Sequence, residues 1–238
     1  MVDLSRYADE VLGIVIREKQ IEAFNYYENL LINENRQYNL TALKQPDEIR
    51  IKHFLDSLTC FHFISADSPT RIVDVGTGAG FPGIPLKIVN PLIHLTLVES
   101  AEKKAMFCKK IVGALGLNHV DIFHIRAEEI GRDTNFRETF DWAVARAVAP
   151  LVTLSEYLLP LVKVGGGVVV QKGKKAVTEI ESSKIAISKF GGEINQLKTF
   201  RLPVFDESRT LISILKIHST PQAYPRRSGV PTKKPIMT

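Results

Sequence analysis

Apolar residues recur at intervals of three and four through the first sixty or so positions and then, from Arg71 onward, gather into short runs separated by helix-length segments. Between Leu4 and Ile32, the residues Leu12, Val15, Ile16, Ile21, Phe24, Tyr27, Leu30 and Leu31 keep the spacing of a helical face, which predicts amphipathic helices. A further helix is predicted over Asp47 to Ile64, with Ile49, Ile51, Phe54, Leu55, Leu58 and Phe61 as its apolar stripe. The runs at 72–75, 94–98, 120–125, 140–145 and 166–171 are rich in β-branched or aromatic residues, as buried parallel strands are. Residues 194–203 and 210–217 read as a closing antiparallel pair. The expected architecture is α/β: a Rossmann-like, mostly parallel sheet of seven strands with helices on both faces. It divides into an N-terminal helical extension (1–66), a core (67–218) and a C-terminal tail (219–238).

Composition changes this picture in two places. A chain of 238 residues, 45% hydrophobic and 24% charged, can bury a full core. The only cysteines, Cys60 and Cys108, lack CxxC spacing, which argues against a disulfide framework or structural zinc and for reduced, buried thiols. The apolar stretch Val11 to Ile16 is too short for a signal core or a membrane span, so a cytoplasmic protein is expected. The second change concerns the tail. Arg226, Arg227, Lys233 and Lys234 stand there without an acidic neighbour and carry +4 of the net +5. Pro221, Pro225, Pro231 and Pro235 favour an extended segment along the surface. Such a stretch is either a solvated tail or an arm that follows a polyanion, and charge alone does not choose between them.

The most informative segment is Ile72-Val-Asp-Val-Gly-Thr-Gly-Ala-Gly-Phe-Pro-Gly-Ile-Pro85. Gly76, Gly78 and Gly80 leave a strand and enter a helix, where missing side chains let the backbone turn sharply and approach a ligand. Asp74 ends the strand, placed to orient the loop or to accept from a ligand's ammonium group. The spacing is G-x-G-x-G, with Phe81 where a dinucleotide fingerprint puts its third glycine. S-adenosylmethionine carries no phosphate and suits a loop less committed to pyrophosphate. Glu99 ends the next strand, where a carboxylate can take both ribose hydroxyls. Arg126-Ala127-Glu128 follows the third strand, near the expected adenine edge, although Glu128 alone would more often be a solvated loop acid. Together these features, with seven strands, read as a class I S-adenosylmethionine-dependent methyltransferase.

The chain also resembles the RsmG, or GidB, methyltransferases of bacterial small-subunit ribosomal RNA. The likeness runs through Asn39-Leu-Thr41, His53-x-x-Asp56-Ser57-Leu58, Asp74 to Pro85, Arg126-Ala-Glu128, Ala145-Arg-Ala-Val148, Lys172-Gly173 and Tyr224-Pro-Arg226. What it implies is methylation of N7 of a guanine in the 530 loop of 16S rRNA, within the small subunit or an assembly intermediate. By the same likeness Gly76, Phe81, Ala127, Glu128 and Arg146 contact S-adenosylmethionine, Glu99 holds its ribose, and the basic tail meets RNA.

Residue chemistry tests that reaction separately. Exocyclic-amine methylases usually carry Asn/Asp-Pro-Pro-aromatic after the fourth strand, whereas here Ala145-Arg-Ala-Val-Ala-Pro150 stands there. A pyrimidine C5 methylase needs a cysteine nucleophile near the strand ends, and both cysteines fall in predicted helices. Guanine N7 is a lone-pair nucleophile that loses no proton, so it needs orientation more than a general base. Arg146, Lys172 and Asn39 to Thr41 are the expected groups at the mouth of the base pocket. Arg146 could stack on a base, pair with a phosphate, or merely neutralise Asp141 or Glu128; Lys172 could hold a phosphate or point to water. His53 and Asp56, three apart on one helical face, have too few companions for a metal and read best as docking the helical extension on the sheet. Two other functions stay open: a small-molecule methyltransferase with the same donor half, and a nicotinamide-dependent oxidoreductase, which the glycine spacing opposes.

Overall fold

The computed structural model describes residues 2–146, 148–173 and 176–236. Ala147, within the Ala145–Val148 motif, and the last two residues of the tail lie outside them. The helical extension begins with α1 (Leu4–Leu12) and α2 (Glu18–Tyr38). A continuous helical rod follows: α3 (Pro46–Glu48), a π-helical stretch (Ile49–Leu55), α4 (Asp56–Leu58) and a 3₁₀ turn (Thr59–His62). The core then alternates β1 (Thr70–Val75), α5 (Gly83–Val89), β2 (Ile93–Glu99), α6 (Glu102–Ala114), β3 (Val120–His124), α7 (Ala127–Ile130), β4 (Phe140–Arg146), α8 (Leu151–Leu158), β5 (Val162–Lys172) and α9 (Ala176–Lys189). It closes with β6 (Gly192–Leu202) and β7 (Glu207–Lys216), and a short α10 (Val230–Lys233) lies in the tail.

The seven strands are ordered β3-β2-β1-β4-β5-β7-β6. The pairs from β3 to β5 are parallel, and β7 runs antiparallel to both β5 and β6. Strand order reverses between β1 and β4, which opens a crevice at the carboxyl edge where sheets of this type bind ligands. Alternation along β1 explains how the sheet is sandwiched. Ile72 joins one core with Tyr27, Phe54, Leu86 and Phe107, while Val73 and Val75 join the other with Leu154, Ile187 and Ile212. Asp74 has the parity of Ile72 and therefore faces the side on which the helical extension packs.

Polar contacts fix that packing. The Gln20 amide donates to the carbonyls of Ile88 (3.0 Å) and Val89 (2.8 Å), capping the C-terminal end of α5 from α2. Tyr27 donates to the carbonyl of Ala79 inside the glycine loop. Arg50 on the rod pairs with the buried Glu28 of α2 at 2.5 Å. α2 continues six residues past the predicted limit of Ile32, because the polar run Asn33–Tyr38 still presents helical backbone and stops only at Asn39. No helix among the described residues is long and apolar enough to cross a membrane.

Candidate active site

The loop after β1 is held in shape by two carboxylates. Asp74 is fully buried; its Oδ2 accepts from Thr77 Oγ1 (2.6 Å) and from the Gly83 amide (2.8 Å), while its Oδ1 has no partner. Burial, opposed in part by those two hydrogen bonds, pushes the Asp74 carboxyl up to about 7. Glu99 folds onto the same loop, accepting from the amides of Gly78 (2.8 Å) and Ala101 (2.8 Å). Two glycines are required outright. Gly76 has φ +69°, and a Cβ there would come within 2.6 Å of Val148; Gly80 has φ +97°, and its Cβ would meet Ile84 at 2.4 Å and the Tyr27 hydroxyl at 2.6 Å.

A cavity of about 250 Å³ opens over this loop, walled by Gly76, Val98, Ser100, Ala127, Glu128 and the 148–150 segment, among others. Glu128 is buried, contrary to the usual lot of a loop acid. Its Oε1 accepts from the Gly229 amide (2.7 Å) and from Tyr157 OH (3.3 Å), and Tyr157 OH also bonds Thr232 (2.9 Å). Two tail residues thus buttress the wall, one of them, Thr232, lining the cavity itself. The tail is anchored to get there. Arg226 grips the buried Glu156 through both Nε (2.9 Å) and Nη2 (2.6 Å), and Arg137 donates to the carbonyls of Thr220 and Tyr224. One of the four tail cations is therefore spent inside the protein; Arg227, Lys233 and Lys234 remain exposed. Pro231 sits in the first turn of α10, where a missing amide hydrogen costs little.

A second cavity, of about 430 Å³, lies over the ends of β4, β5 and β7. Arg146 forms its wall on the side of the first cavity. Its guanidinium donates to His53 Nδ1 (2.8 Å) and to the Lys52 carbonyl (3.1 Å), and pairs with Asp56 Oδ2 (3.3 Å). The acid that neutralises Arg146 is thus Asp56, not Asp141 or Glu128; Asp141 pairs with Lys163 and Glu128 with the tail. Because Arg146 can only donate, His53 Nδ1 must accept and Nε2 carry the proton, which it gives to Thr41 Oγ1 (2.6 Å). Burial and the neighbouring Arg146 hold the His53 pKa well below its usual value, so the ring is neutral. It stacks on Phe81 at 4.3 Å, and Arg146 lies over the other reach of that ring at 4.9 Å.

Four expected site residues sit differently from their sequence reading. The Phe81 ring lies beneath Arg146 and His53 and is not part of the 250 Å³ wall, nor is Arg146, which belongs to the second cavity. Asn39 is exposed at φ +50° as the C-terminal cap of α2, a conformation that asparagine tolerates, and Thr41 is the member of its motif that lines the cavity. Lys172 is engaged inside the protein: its ammonium donates to the Ala149 carbonyl (2.5 Å) and pairs with Glu179 (2.8 Å), which in turn accepts from the Leu151 amide (2.8 Å). Lys172 thereby fixes the 149–151 segment that divides the cavities. Sequence reasoning missed Gln171, Arg209, Tyr157 and Thr232; only Gln171, a polar residue ending a buried strand at the binding edge, carried a signal. Among the described residues no cluster of His, Cys, Asp and Glu could hold a metal.

Comparison with known proteins places the chain in a family. Residues 20–211 match the GidB family, described as rRNA small subunit methyltransferase G. The chain is 48% identical over 225 residues, 94% of each chain, to the ribosomal RNA small subunit methyltransferase G of Pelotomaculum thermopropionicum. It is 45% identical over the same shares to that of Alkaliphilus metalliredigens. Solved structures share the fold at low identity. A S-adenosylmethionine-dependent methyltransferase from Aquifex aeolicus superposes with a TM-score of 0.55 at 16% identity, covering 75% of this chain and 97% of that one. Aeropyrum pernix fibrillarin, with natively bound S-adenosyl-L-methionine, gives 0.52 at 15% identity over 68% of this chain and 73% of its own. With its family profile matched over most of its length and relatives alike from end to end, the chain belongs to the GidB family of rRNA small subunit methyltransferases.

Proposed function

We propose that this protein transfers a methyl group from S-adenosylmethionine to N7 of a guanine in the 530 loop of 16S rRNA, presented in the small subunit or an assembly precursor. The observation that carries the reading is the pair of cavities on either side of the 148–150 segment, one over the glycine loop and one over the ends of β4 and β5. The first suits the cofactor: Glu128 in its wall, and Glu99 between the wall residues Val98 and Ser100, would serve as acceptors for an adenine amine and for ribose hydroxyls, and the loop has room only because Gly76 lacks a side chain. When bound, S-adenosylmethionine would supply a methyl on a cationic sulfur, an electrophile suited to a lone-pair nucleophile such as guanine N7.

The residues of the second cavity suit a substrate that gives up no proton. Both ring nitrogens of His53 are committed, one to Arg146 and one to Thr41, and the two cysteines are buried with thiol pKa values pushed up. What the protein supplies is position. Arg146, braced by Asp56, His53 and Phe81, fixes one wall, and Lys172 fixes the segment between the cavities, so that a base held here keeps its alignment; orientation of this kind accounts for up to roughly 7–11 kcal/mol of a barrier.

The reading is tested by offering labelled methyl donor to small subunits lacking base methylation, to large subunits and to transfer RNA. Label confined to small-subunit rRNA is expected. Turnover with small molecules and none with any RNA would replace it with the small-molecule alternative.

A further inference from the structure

Two buried acceptors in the second cavity have no partner. Asp56 and Gln171 are 2% and 3% exposed and line it side by side, yet Asp56 Oδ1 and Gln171 Oε1 make no hydrogen bond. Each is oriented by what its other atom does. Asp56 Oδ2 is taken by Arg146 (3.3 Å) and faces Arg209 (3.6 Å). Gln171 Nε2 donates to the Asp56 carbonyl (2.5 Å) and to Thr59 Oγ1 (3.2 Å), so the amide cannot be turned over without setting oxygen against a carbonyl oxygen. Leaving a buried acceptor unmet is costly, and two adjacent ones in a cavity wall point to a ligand that brings donors.

We propose that Asp56 and Gln171 read the Watson–Crick edge of the target guanine, accepting hydrogen bonds from its N1–H and 2-amino groups. This rests on the methylation of guanine N7 proposed above. In guanine those donors lie on the far side of the ring system from N7. The sheet offers the matching arrangement: the glycine loop follows β1, Arg146 ends β4, and Gln171 lies beyond it on β5, paired with Arg146 in the strand register. A purine with N7 toward the first cavity turns its Watson–Crick edge toward Asp56 and Gln171. Both oxygens are shielded from solvent, so binding parts the flexible polar side chains at the mouth, Lys52 and Arg209.

The pairing also aids the reaction. A purine alkylated at N7 is cationic, and its N1–H and amino hydrogens become stronger donors as the charge develops. Acceptors on that edge hold the transition state more tightly than the starting base, which is the condition for lowering the barrier rather than only the KM. Adenine brings an acceptor at N1 and no 2-amino group, so it leaves both oxygens unpaired and is rejected.

The test uses small subunits reconstituted with guanosine or inosine at the nucleotide the wild-type enzyme methylates; inosine lacks only the 2-amino group. The wild type is expected to favour guanosine by at least about tenfold in kcat/KM, the range of a lost hydrogen bond to a buried or charged acceptor. Asp56→Asn turns an amino group toward the cavity, because its oxygen stays with Arg146 and Arg209. Of Asp56→Asn and Gln171→Leu, the one that removes the acceptor of the 2-amino group is expected to bring the ratio to within about twofold, with S-adenosylmethionine affinity kept. Structural damage alone would slow both substrates equally. A wild type indifferent to the 2-amino group overturns the proposal without any variant, as does a ratio unchanged in both variants. Methyl found at an atom other than N7 on the guanosine subunits is a separate result, and it would refute the underlying reading instead.

Discussion

Asp74 shows how one buried carboxyl ties fold to site. Its raised pKa means that the folded protein keeps, up to about pH 7, a proton that the unfolded chain releases near 3.8. Between those values the folded state binds more protons, so this group's contribution to stability falls as pH rises from about 4 to about 7. Urea unfolding of wild type and Asp74→Asn across that window is expected to show a stability difference that moves against the wild type with rising pH; a pH-independent difference would contradict it. Gly76 makes a sharper demand. Gly76→Ala adds a strained backbone and a Cβ 2.6 Å from Val148, and is expected to weaken S-adenosylmethionine binding roughly tenfold by calorimetry, a strain of about 1–2 kcal/mol. Gly13→Ala has a similar φ of +66° but open space around it, so it shares the strain and is expected to leave affinity unchanged. The spacing of the glycines and of Asp74 was legible because backbone geometry at a turn depends on local sequence. The partners of Arg146 were not, since Asp56 stands 90 residues away and only the packing of the rod on β4 joins them.

Among the elements, the tail departs most from its sequence reading. Its prolines and cations leave a solvated tail and an arm along a polyanion equally open, and neither reading foresees the acids that anchor it. Glu156, on the buried α8, takes Arg226, and Glu128 takes the Gly229 amide. Arg226→Ala leaves Glu156 buried without its charge partner and is expected to cost about 3 kcal/mol in urea unfolding. Truncation after Ser228 spares that pair but removes Gly229 and Thr232, and is expected to weaken S-adenosylmethionine binding several-fold, with Tyr157 and Glu128 freed. Unaltered affinity would show that the buttress is incidental. The strands were legible because buried parallel strands have few ways to be written, although β5 starts four residues and β7 three residues before the predicted runs, where polar and glycine positions break the apolar signal. The π-helical form of the rod was not, since its apolar stripe fits an ordinary helix equally well.

For the whole molecule, the sheet order puts two cavities at one edge and the 148–151 segment between them, braced from below by Lys172 and Glu179. Sequence pattern reaches the sheet and the glycine loop, whereas the second cavity is assembled from the extension, β4, β5 and β7, and exists only once these have packed. Family membership accounts for RNA methylation, and the proposed transfer to a ring nitrogen asks for no base from the second cavity. The direct test is to methylate small-subunit rRNA with the purified protein, reduce it with borohydride and cleave with aniline, which breaks the strand only at N7-methylguanosine. The account predicts a single new break, in the 530 loop. Methyl incorporated into the rRNA without any break would place the transfer on another atom and contradict it.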